Sequence, residues 1–126
     1  MTTSNPRVMI IEDDADMIEL LSVILRRGGY EPIPALGGQE GLDLLEKDKV
    51  DLILLDLMMD DVSGWQVLET IKTDDTLRSI PVLIISARHY LEEPLQTEAH
   101  AGQFEGYLVK PFVVHDLLIE VEEAVG

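Results

Sequence analysis

The run Leu52-Ile53-Leu54-Leu55, closed by Asp56, constrains this chain more than any other stretch. Four apolar residues in a row, without alternation, mark a strand covered on both faces, the kind found in parallel sheets with helices on either side. The pattern recurs at Val8-Met9-Ile10-Ile11 and Val82-Leu83-Ile84-Ile85, and in shorter form at Tyr107-Leu108-Val109. Each run ends in polar chemistry: Glu12-Asp13-Asp14, Asp56, Ser86 and Lys110. Open α/β sheets bind their ligands at the carboxyl ends of strands, so these endings are the first places to look for function.

Helical patterns separate the strands. Ala15 to Arg27 carries acids in its first turn, Arg26 and Arg27 in its last, and Gly28-Gly29 just beyond, which are start and stop signals for a helix. Shorter helices are expected from Gln39 to Lys47 and from Trp65 to Lys72, and a last one from about Val114 to Val125. Tyr30 to Ala35 reads as a weaker strand. Its Pro32 and Pro34 remove donors from one side, which only a sheet edge tolerates. The expectation is an α/β fold: a single doubly wound, five-stranded parallel sheet in the order 2-1-3-4-5, flavodoxin-like, spanning residues 1–126 as one domain. That order opens a crevice between strands one and three, where Asp13, Asp14 and Asp56 would meet. Ala87 to Glu105 is the least regular stretch, and Pro94 delimits any helix within it.

At 126 residues, 46% hydrophobic, the chain can bury a core without staples, and it has no cysteine for disulfide or thiolate chemistry. No apolar run is long enough to cross a bilayer, and Met1 to Pro6 does not read as a secretory signal, so a cytoplasmic location is expected. The net charge of −16, from 25 acidic and 9 basic residues, opposes nucleic-acid binding through phosphates.

Converging carboxylates repel one another and need a proton or a hard cation. Oxygen donors without histidine or cysteine favour Mg²⁺. Ser86 and Lys110 add a hydroxyl and an ammonium to the same rim, a combination suited to a phosphoryl group. Asp56, between the acids and the lysine, is the best-placed nucleophile.

The ordered set Asp13-Asp14, Asp56 after its strand, Met58-Met59, Ser63-Gly64, Ser86-Ala87 and Tyr107 before Lys110-Pro111-Phe112 resembles a receiver domain of the two-component response regulators, over essentially the whole chain and in the manner of the chemotaxis regulators. The resemblance implies that Asp56 accepts a phosphoryl group from a histidine kinase or histidine phosphotransfer protein. It implies that Asp13, Asp14, Asp56 and the backbone carbonyl of Met58 bind Mg²⁺. Ser86 and Tyr107 resemble the switch residues, Lys110 the phosphoryl partner, and the Lys110-Pro111 bond is expected to be cis. Such a domain catalyses its own phosphotransfer and autodephosphorylation without being a turnover enzyme, then changes its interaction surface. A homodimer is compatible with the resemblance.

Departures are visible too. Asp60 stands where the family commonly has proline, and the segment from Ser86 to Lys110 is slightly long, which touches the usual output face. Met58 and Arg88 resemble positions that tune access of hydrolytic water.

Other readings stay open on the residues alone. Asp13-Asp14 can cap the first helix, and Tyr107 can be plain core. His89, His100 and His115 lie outside the proposed site, and Trp65 and the methionines read as packing. A Mg²⁺-dependent phosphatase with an aspartyl intermediate wants a second acid two residues past the nucleophile, where Met58 stands. A phosphorylation-independent interaction module would not need the intact acid, hydroxyl and lysine set. No output domain follows the last helix in this sequence, so a stand-alone regulator and a piece of a longer chain both fit.

Overall fold

A computed structural model describes residues 5–87, 100 and 102–126. Five strands, β1 (Arg7–Glu12), β2 (Glu31–Leu36), β3 (Leu52–Asp56), β4 (Val82–Ala87) and β5 (Gly106–Lys110), form one parallel sheet in the order β2-β1-β3-β4-β5. Four helices are described: α1 (Ala15–Arg27), α2 (Gly38–Leu45), α3 (Gly64–Thr73) and α4 (Val114–Val125). None of the described helices is long and apolar enough to cross a membrane. The thin helical pattern around Pro94, with Arg88 and His89, lies outside the described residues.

The period-two alternation of each strand sorts its side chains into two cores. Val8, Ile10, Leu52, Leu54, Leu83, Ile85 and Leu108 pack with α1 and α4 through Leu21, Leu25, Leu117 and Val121. Met9, Ile11, Ile53, Leu55, Val82 and Ile84 face the other way, against Leu45 of α2 and Val67, Leu68 and Ile71 of α3. Central strands covered on both sides are therefore apolar throughout. Each fully buried aliphatic side chain contributes about 1.5–3 kcal/mol.

The prolines of β2 behave as expected. The amides that bond to β1 flank them, with Glu31 donating to the Pro6 carbonyl and Gly37 to that of Glu12. By alternation, the nitrogens of Pro32 and Pro34 face the free edge, where no donor is required.

The main difference from the expected elements is at the end of β1. The ladder continues to Glu12, registered opposite Leu36, because the Glu12 carbonyl still accepts from Gly37. One added residue puts Glu12 on the sheet, where alternation aims its side chain to the same face as Ile10.

Candidate functional site

Alternation decides which strand endings meet. Glu12 continues the Val8, Ile10 row, Asp56 the Leu52, Leu54 row, and Lys110 the row of Leu108, so all three project from the face covered by α1 and α4. Lys110 Nζ lies 2.8 Å from Glu12 Oε1 and 3.5 Å from Asp56 Oδ2. Asp13, the first residue past β1, completes the acids: Glu12, Asp13 and Asp56 each offer a carboxylate oxygen, all within 4.8 Å of one another.

Two carboxylates share one ammonium here, in little water. Glu12 is 2% exposed and Asp56 7%. Burial pushes the Glu12 carboxyl up to about 8, the hydrogen bond and charge of Asp56 push the same way, and Lys110 pulls against them. Glu12 therefore holds its proton more tightly than an ordinary carboxyl does, beside the Lys110 ammonium. For Lys110, burial works to lower its value, but Glu12 and Asp56 outweigh it and leave the ammonium above its ordinary range.

Asp14 requires a correction. Its exposed side chain turns to the start of α1 and accepts from the amides of Asp16, at 3.0 Å, and Met17, at 3.4 Å. It is the N-cap, and a carboxylate spent on two amides at a helix start is turned away from the acid cluster. The expected Asp13–Asp14 pair gives way to Glu12 and Asp13. Glu12 was missed because three contiguous acids carry no internal signal of where the strand stops.

The loop after Asp56 is tied to the site by its backbone. Met58 N–H donates to Asp56 Oδ1 at 3.3 Å, and Asp60 N–H donates to Asp13 Oδ2 at 2.9 Å. Gly64 closes the loop by donating to the Leu57 carbonyl at 3.0 Å. A Cβ at Gly64 would lie 2.3 Å from the Asp56 carbonyl oxygen, so only glycine lets α3 start this close to the strand end. Ser63 caps α3 in a reciprocal arrangement with Gln66.

Ser86 and Tyr107 sit elsewhere in the same neighbourhood. Ser86 is fully buried, and its Oγ has no hydrogen-bond partner among the described residues. It lies on the sheet face of Val82 and Ile84, the face opposite to that of Asp56. Tyr107 is registered beside Ile84, two positions from the Ser86 partner Val109, and is 56% exposed. Tyr107 is therefore not plain core: this ring faces solvent. The Lys110–Pro111 bond is cis. Met58 is exposed.

Trp65 is buried, as packing predicts, and stacks on His100 with ring centroids 4.9 Å apart. His100 in turn bonds Gln103 through Nδ1, so it is committed to packing rather than to the acid cluster. His115 is exposed on α4.

An all-oxygen donor set suits a hard divalent cation. The buried Glu12 Oε2, which has no hydrogen-bond partner among the described residues, is a carboxylate oxygen left over for one. The residues present fit Mg²⁺.

Comparison with known proteins points the same way. A family model described as the response regulator receiver domain matches residues 8–122. The polar-differentiation response regulator DivK of Brucella anthropi is 34% identical over 119 residues, covering 94% of this chain and 95% of DivK. The DNA-binding dual master transcriptional regulator RpaA of Synechocystis is also 34% identical, over 92% of this chain, but the chain spans only about half of RpaA, 47%. Among solved structures, response regulator TrrA of Thermotoga maritima, in complex with Mg²⁺ and BeF, is similar at 25% identity and a TM-score of 0.82, covering 94% of this chain and 98% of that one.

Proposed function

This chain belongs to the response regulator receiver family of two-component signalling, and we propose that it is a Mg²⁺-dependent switch set by transfer of one phosphoryl group to Asp56. The observation that carries the reading is the position of the Asp56 carboxylate, 3.5 Å from the Lys110 ammonium and inside an oxygen cluster with Glu12 and Asp13.

In this reading Glu12, Asp13, Asp56 and the Met58 carbonyl hold the cation. When bound, Mg²⁺ supplies positive charge that offsets the phosphoryl oxygens. An Asp56 oxygen attacks phosphorus on a phosphohistidine donor, the phosphorus–nitrogen bond breaks, and the imidazole of the donor leaves. Lys110 exchanges its bond to Glu12 for one to a phosphoryl oxygen, a move of side chain rather than backbone. Ser86, whose hydroxyl has no competing bond among the described residues, donates to another phosphoryl oxygen by turning toward it. Space vacated by Ser86 then admits Tyr107, which swings in from its exposed position along the same sheet face. Burial of that ring changes the surface at β5, which is how the phosphoryl group would be read by a protein partner.

The donor is a histidine kinase or histidine phosphotransfer protein, in the cytoplasm, and the change of surface rather than catalytic turnover is the output. Isothermal titration with Mg²⁺ tests the cation part of this reading. Binding to the wild type, lost in Glu12→Gln, is expected; a wild type that takes up no Mg²⁺ would overturn it.

A further inference from the structure

We infer that Asp61 is a positioning residue for the cation loop, stapling the segment after Asp56 to the first turn of α2 and thereby setting how tightly the acid cluster takes Mg²⁺. The inference rests on the cation reading above and adds a residue from outside the cluster.

The staple is made of two bonds. Asp61 Oδ1 accepts from the Gly38 amide at 3.1 Å, and Oδ2 accepts from the Gln39 amide at 2.9 Å. Both donors are orphans of the α2 start, which its own N-cap residue Gly37 leaves without a side-chain partner. A carboxylate more than twenty residues away in sequence does what a local cap does elsewhere. Gly37 makes room for it, with a φ of 104° and a would-be Cβ 3.2 Å from Asp61 Oδ2. The Gln39 bond, helped by the other amides, holds the Asp61 carboxyl below its usual range against a smaller opposing effect of burial.

What makes the staple matter for the site is what lies next to it. Asp60 donates its amide to Asp13 Oδ2, and Met58 donates to Asp56 Oδ1. The loop is thus fastened at one end to α2 and at the other to the acids, so anchoring Asp61 presents Asp13 and the Met58 backbone in one arrangement. Met59 and Val62 give the loop partial apolar footing, but side chains that slide on an apolar surface do not fix the direction of a carbonyl. Without the staple, ordering of the loop would be charged against cation binding.

The test is Mg²⁺ titration calorimetry on the full chain and four variants. Asp61→Ala should weaken Mg²⁺ affinity about tenfold, equivalent to about 1.4 kcal/mol, and Asp61→Asn, which keeps one acceptor, should fall between it and the wild type. Asp60→Asn removes a neighbouring charge without touching the staple, since Asp60 uses its amide, and should cost less than about threefold. Val121→Ala, which loosens the core beneath the C-terminal half of α4 without touching the staple, should leave the affinity unchanged despite lower thermal stability. The inference is overturned if Asp61→Ala weakens binding no more than Asp60→Asn, or if Val121→Ala weakens it equally. A wild type that binds no Mg²⁺ would overturn the cation reading itself, and this inference with it.

Discussion

Lys110 is bonded to Glu12, at 2.8 Å, more closely than to Asp56, at 3.5 Å. The lysine is therefore held in reserve by a neighbour of the nucleophile. A buried pair of this kind is weak evidence for stability, because desolvation offsets much of the attraction. Its placement makes sense for a group that must change partners.

Glu12 should make the cation-free protein pH-sensitive. Its folded value of about 8 lies above the ordinary 4.5, so between those limits the folded state holds a proton that the unfolded state has lost. Stability should fall as pH rises through that window, and Glu12→Gln should remove this part of the slope. Urea unfolding without Mg²⁺ at pH 5.5 and pH 8 measures it. At pH 8 the variant should be more stable than the wild type by roughly 2 kcal/mol. Equal slopes for the two proteins would contradict the assignment.

Asp14 and Glu12 should separate cleanly. Asp14→Ala removes the cap of α1 and should cost about 1 kcal/mol of stability while leaving Mg²⁺ affinity within about twofold. Loss of Mg²⁺ binding in Asp14→Ala would restore Asp14 to the cluster.

Gly64 should tolerate no side chain. In Gly64→Ala the new Cβ would meet the Asp56 carbonyl oxygen at 2.3 Å and Leu57 Cα at 2.5 Å, both main-chain atoms with little freedom to move. A loss of about 3 kcal/mol is expected, of the size seen when a packed site is overfilled. Because relief of the clash moves the Asp56 backbone, phosphoryl uptake should slow as well. Thermal melts and phosphorylation time courses on the same samples check both, and a melting temperature equal to the wild type would refute the close approach.

Most of the sheet was legible because its strands are short, apolar and separated by helices with clear ends. The 2-1-3-4-5 order followed from two prolines that only an edge accommodates, and the structure puts their nitrogens on the free side of β2. Asp56 and Lys110 were legible as endings of such strands. The acid pair was not. In Glu12-Asp13-Asp14 the composition is uniform, and what selects Glu12 is a single long-range bond, from Gly37 to its carbonyl, that extends β1 by one residue and reverses which acid faces inward. The role of Asp61 is not legible in the sequence for a similar reason: its partners, Gly38 and Gln39, come from a distant turn. The exposure of Tyr107 was not legible, because an aromatic residue in a short apolar run carries no sign of which side chains reach solvent.

The central claim is that Asp56 takes up a phosphoryl group with Mg²⁺ present. Intact-mass spectrometry after incubation with a small phosphodonor tests it most directly, with the wild type, Asp56→Asn and a Mg²⁺-free control side by side. One added phosphoryl group on the wild type alone, lost from the variant and from the control, is the expected result. An unchanged wild-type mass, or equal labelling of Asp56→Asn, would contradict the account.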